Sequence, residues 1–114
     1  MAIAEQRLAE LERLIQEATE GPWTVRGRGG IHMDGTSDFY VVEARSEHRI
    51  TTVAQVYQSG VRMERRANAE LMVESRTAVP ELIAEVRRLY RDIDVLREAL
   101  TTLNQVLKRG RRYD

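Results

Sequence analysis

The sequence predicts an α+β protein, and three observations predict it. An apolar stripe at helical spacing opens the chain, a β-branched and aromatic stretch fills its middle, and leucines recur every three and four residues through its last third. The expected order is an N-terminal helix, a three-stranded antiparallel meander, a short helix and a long heptad-patterned helix, in a single domain over residues 1–114.

The first helix is expected over residues 3–19. Ala4, Leu8, Leu11, Ile15 and Ala18 fall at three- and four-residue steps, with charged and polar residues between them. That spacing lays one apolar stripe along a helix. Gly21 and Pro22 end it, because proline cannot supply the next helical N–H and restricts the residue before it. The meander is expected over residues 22–58, with "WTVRGR", "FYVVEAR" and "RITTVAQVYQ" as its strands. "GGIHMDGTSD" is a long glycine-rich link with room for a short extra strand, and "SEH" is a tight one. In the third strand Ile50, Thr52, Ala54 and Val56 share one face, and Thr51, Val53, Gln55 and Tyr57 the other. One of these faces should lie on helices.

A helix over residues 63–77 is expected from the stripe Met63, Ala67, Leu71 and Ser75, with Met72 beside it. Pro80 then interrupts the pattern and suits an early position of a new helix over residues 80–109, where its missing N–H costs little. Leu82, Val86, Leu89, Ile93, Leu96, Leu100, Leu103 and Leu107 alternate three- and four-residue steps over four heptads. Val86, Ile93, Leu100 and Leu107 take the a positions, and Leu82, Leu89, Leu96 and Leu103 the d positions. A helix of this length runs roughly 45 Å, and the first helix, at about 25 Å, cannot cover it. The eight residues are therefore expected to form an oligomer interface with another copy of the chain, a dimer in preference to larger assemblies. The competing reading packs the whole stripe within one chain. Gly110 is expected to stop the helix, and the surrounding "KRGRR" suits the negative end of its dipole.

Composition narrows the function classes. Eighteen basic residues balance eighteen acidic ones, so no whole-molecule charge draws the chain to nucleic acid or an anionic membrane. Without cysteine there is no disulfide scaffold, thiolate metal site or cysteine nucleophile. The opening "MAIAEQRLAELERL" is amphipathic rather than a signal segment, and no apolar run reaches the ~20 residues that span a bilayer.

Few residues suggest chemistry. His32 and His48 are the only histidines; "HMD" at 32–34 with Asp38 nearby offers metal-ligating atoms but no paired spacing. No nucleophile-elbow spacing accompanies the serines, and "GRGG" lacks the lysine and helix of a phosphate loop. No enzyme activity, metal or cofactor is expected. Arg26, Arg28, Arg62, Arg65 and Arg66 flank the strands, and could offer guanidinium forks to a phosphate while Tyr57 or Trp23 stacks on a base. The plainer reading pairs Arg65 and Arg66 with Glu70 and its neighbours and leaves Trp23 filling the junction of helix and sheet.

Two stretches resemble a known family. "LAELERLIQEATEGPWTV" is similar to the N-terminal signature, and "RRANAELMVESRTAVPELIAEVRRL" to the C-terminal pattern, of the ead-like group of small phage and prophage early proteins. The matching positions are Gly21, Pro22, Trp23, Ala67, Asn68, Ala69, Val79, Pro80, Leu82 and Leu89, and Glu20 departs from the small residue often found before that glycine. The resemblance implies a phage origin and a place in the cytoplasm of a bacterial host, without implying catalytic residues. The function expected is that of a non-catalytic, self-associating accessory protein that binds a host or phage macromolecule. Alternatives are an oligomer that sequesters a nucleotide-type signal in counter-defence, and a weak nucleic-acid binder using "RMERR" and "KRGRR".

Overall fold

A computed structural model describes residues 4–57 and 62–112. Helix α1 spans Glu5–Glu17, strands β1, β2 and β3 span Trp23–Ile31, Ser37–Ser46 and Arg49–Val56, and helix α2 spans Arg62–Arg112. The arrangement is α+β, with an N-terminal helix, an antiparallel sheet in the order β1-β2-β3 and a long C-terminal helix. Contacts group the chain into two compact units, Met1–Glu81 and Leu82–Asp114.

In the first unit the stripe of α1 is covered at Leu8, which is buried, and partly at Leu11 and Ile15. The indole N–H of Trp23 donates to the Thr19 carbonyl at 3.0 Å, and Arg76 Nε donates to the same oxygen at 3.1 Å. The Arg76 guanidinium lies 5.8 Å from the Trp23 ring centroid. Trp23 thus fastens the segment after α1 to β1 and to α2, as the plainer reading of that residue expected.

The long glycine-rich link holds no extra strand. β1 instead runs on through Gly29 and Gly30 to Ile31, with one extra residue between Arg28 and Ile31. Gly29 takes a φ of +78°, a backbone conformation that suits a residue without a Cβ. Residues 32–36 close the hairpin: the His32 N–H donates to the Thr36 carbonyl, and Asp34 Oδ1 accepts from the Thr36 amide and hydroxyl. The last two contacts form a side-chain-closed turn that Asp supplies readily.

β2 is the central strand, and Tyr40, Val41, Val42, Glu43 and Ala44 are buried in succession. Tyr40, Val42 and Val56 pack with Ala69 of α2, joined by Trp23, Val25, Val53, Ala54 and Val73. Val53 is the extra residue of a bulge, since Val42 pairs with Ala54 and Glu43 with Thr52. The sheet-facing stripe of α2 is therefore Ala69 and Val73, not the expected Ala67, Leu71 and Ser75; the side chain of Met63, also expected in that stripe, lies outside the described residues. Alanine at the contact lets the helix approach the sheet closely, and hydrophobicity alone does not select for that.

The helices expected at 63–77 and 80–109 are one helix of 51 residues with Pro80 inside it. Proline there withholds an N–H from the Arg76 carbonyl, at a cost of about 3 kcal/mol. Strong helix formers on both sides and buried positions at Ala69 and Ile83 outweigh it. Gly110 does not stop the helix either, which continues to Arg112. A glycine in a helix costs only about 1 kcal/mol, and Lys108, Arg109 and Arg111 complement the dipole there.

Candidate functional site

The second unit is the 82–112 stretch of α2, and it carries the ladder. Ile83 is buried, and Val86, Arg87 and Tyr90 are half-buried; every residue from 91 to 111 is exposed. Leu82, Leu89, Ile93, Leu96, Leu100, Leu103 and Leu107 expose between 41% and 62% of their surface, and Val95 and Val106 add to the apolar area. Fully burying such a side chain contributes roughly 1.5–3 kcal/mol, so each of these positions retains about half of that ungained in the lone chain. On the flanks, Arg88 bridges Glu85 and Asp92, its Nη1 lying 2.9 Å from Asp92 Oδ2. The hydrogen bond from Arg88 holds the Glu85 carboxyl below its ordinary value, and that bond in turn raises the Arg88 guanidinium above its own.

The arginines expected at a ligand site are divided by the structure. Arg26 Nη2 donates to Glu43 Oε1 at 2.7 Å, neutralising a carboxylate that is 4% exposed. Arg66 Nε donates to Glu70 Oε1 at 3.0 Å, the pairing along the helix that the plainer reading expected. Arg65 Nη1 donates to the Asp38 carbonyl at 2.9 Å. The side chain of Arg62 lies outside the described residues. Arg28 faces Phe39 in register, and the Phe39 ring stacks on Tyr57 with centroids 4.6 Å apart. Among the described residues of that set, Arg28 and Tyr57 share a row, on the sheet face opposite Tyr40 and Val42.

Two features escaped the sequence reading, and the His32 and Asp38 pair, read there as offering metal-ligating atoms, closes a turn instead. Glu43 is an acid in a run of buried residues, and its partner Arg26 sits two pairs along on the neighbouring strand, opposite Val41. His32 Nε2 lies 2.6 Å from Asp38 Oδ1, while Asp38 Oδ2 accepts from the Gly30 amide at 2.6 Å. These contacts tie the end of β1 to β2 across its extra residue; the pairing of "H" and "D" six positions apart was the available signal. Lastly, Trp23, Val56, Asn68, Leu71, Met72 and Ser75 line an open groove of about 500 Å³. Among the described residues, no cluster of His, Asp or Glu side chains could hold a metal ion, and no helix is long and apolar enough to cross a membrane.

Comparison with protein-family models, curated proteins and solved structures found no match for the chain.

Proposed function

We propose that the protein is a non-catalytic, self-associating accessory protein, whose copies pair along the ladder of α2 and hold a host or phage macromolecule in the cytoplasm of an infected bacterium. The phage setting rests on the resemblance of the "EGPWTV" and "VPELIAEVRRL" stretches to the ead-like group. The pairing rests on one observation: the apolar seam from Ile93 to Leu107 is uncovered along its whole length. The occupant that fits it is a second copy. A heptad seam is self-complementary, since each a or d knob enters a hole made by the same residue types on the facing helix, and β-branched Val86 and Ile93 at a with leucine at d favour two strands.

Sedimentation velocity over a wide concentration range tests this reading. The wild-type chain is expected to sediment as a dimer at micromolar concentration. Leu96→Glu combined with Leu100→Glu, which leaves every residue of the first unit in place, is expected to give a monomer with an unchanged near-UV spectrum. A wild-type chain that stays monomeric at the highest attainable concentration overturns the proposal.

A further inference from the structure

We infer that the two ladders pair in parallel and in register, with Asp92 of each copy facing Arg97 of the partner subunit. The inference rests on the pairing proposed above and adds its geometry. With Val86, Ile93, Leu100 and Leu107 at a, Asp92 and Arg97 fall at g and e. In a parallel pair, each g residue faces the e residue five positions further along the other chain, and such flanking charges set partner orientation. Asp92 and Arg97 are five positions apart. Two-fold symmetry therefore makes the attraction twice, once on each side of the seam.

The antiparallel alternative lacks this match. Aligning the ladders head to tail sets Val86 against Leu103 of the partner subunit and Ile93 against Leu96 of the partner subunit. Asp92 then meets Ala99 of the partner subunit, and Arg97 meets Tyr90 of the partner subunit, so neither gains an opposite charge. One other parallel flank agrees with the same choice: Val106 at g lies along the methylene stem of Arg111 of the partner subunit, which can cover it while its charge stays in water. Arg97 is also available for a contact between chains. Its side chain is exposed, and Asp92, which Arg88 contacts at 2.9 Å within its own chain, is exposed as well.

The chain contains no cysteine, so a single introduced thiol reports orientation cleanly. Gly110 falls at a d position, and a Cβ there meets nothing within 4 Å in its own chain. In the parallel pair the two copies of this position adjoin each other; in the antiparallel pair, position 110 faces position 79 and lies 31 residues from its counterpart, roughly 45 Å away. Mild oxidation of Gly110→Cys is expected to give a disulfide-linked dimer at concentrations where the wild type sediments as one. A sedimenting dimer that does not cross-link overturns the parallel arrangement.

The charges are tested by reversal. Asp92→Arg and Arg97→Asp are each expected to weaken self-association by on the order of tenfold, since each turns two attractions into two repulsions. Mixing the two variants restores both attractions in the mixed pair, and the double reversal restores them within one chain, so both are expected to return to near wild-type affinity. The double reversal keeps the loss of the Arg88–Asp92 contact, and so separates effects between chains from effects within the helix. Variants that cross-link at position 110 but show no preference for mixing overturn the role of Asp92 and Arg97. A monomeric wild type would instead remove the proposed pairing itself.

Discussion

Replacing Arg26 with methionine tests how the sheet carries an acid in its interior. The Glu43 carboxylate is 4% exposed, and Arg26, which neutralises it at 2.7 Å, is 44% exposed. Removing one partner of a fully buried pair costs about 3–5 kcal/mol, because the other is left charged and desolvated. Here water already reaches the guanidinium and can follow into the space it leaves, which reduces the figure to about 2 kcal/mol. Glu43→Met removes the buried charge instead and leaves Arg26 in solvent, and is expected to cost less than about 1 kcal/mol. The double variant should be more stable than Arg26→Met alone by at least about 1 kcal/mol, a coupling that separate contributions would not produce. Urea unfolding followed by circular dichroism measures all four proteins at one fixed concentration, since any self-association shifts the midpoint. With a slope of about 1–3 kcal/mol per molar urea, Arg26→Met should lower the midpoint by roughly 1 M. A midpoint within 0.2 M of wild type, or a double variant no better than Arg26→Met, refutes the reasoning.

Gly27→Ala is expected to destabilise the sheet by roughly 1–3 kcal/mol, because the new methyl would clash with Ser37 Oγ and sit 2.9 Å from Ser37 Cβ; thermal unfolding should show partial recovery when Ser37→Gly is added, and equal melting of wild type and Gly27→Ala would contradict it. The Glu85 carboxyl should titrate below the ordinary carboxylate range in NMR, and Arg88→Gln should return it towards that range. Because its pKa is lowered on folding, the stabilisation from this pair is present above the unfolded value and is lost as pH falls through the folded one. Titration of Glu85 unchanged by Arg88→Gln would remove the pair as the cause.

Much of this architecture can be read from the amino acids because its signals are periodic. Leu8, Leu11 and Ile15 mark α1 at helical spacing, Gly21 and Pro22 mark its end, and "FYVVEAR" and "RITTVAQV" mark β2 and β3. The heptads from Leu82 to Leu107 mark the last part of α2, where Ile93, Leu96, Leu100, Leu103 and Leu107 are exposed. What was missed depends on neighbours that are distant in sequence. Pro80 reads as a boundary from its own chemistry, yet packed helix on either side carries α2 through it. Ala69 looks unremarkable beside Leu71 until the bulk of Tyr40 and Val42 decides which side of α2 can come close. Arg26 looks available for a ligand until strand register brings Glu43 beside it. A heptad stripe can be read from one helix alone, whereas the partner of Arg26 depends on where two strands align.

Because β2 lies between the strands that precede and follow it in the chain, every ladder in the sheet closes through a link of five or two residues, 32–36 or 47–48. Such short-range pairing is the kind that forms quickly. The cover for Tyr40, Val42 and Val56, however, arrives only with Ala69 and Val73, 13 and 17 residues after Val56. At about 5–20 residues per second, a ribosome needs roughly one to three seconds to supply it. Until then the face of Tyr40, Val42 and Val56 lacks the cover that Ala69 and Val73 give it, so chains truncated before Ala69 are expected to aggregate more readily than the full chain, as light scattering would measure.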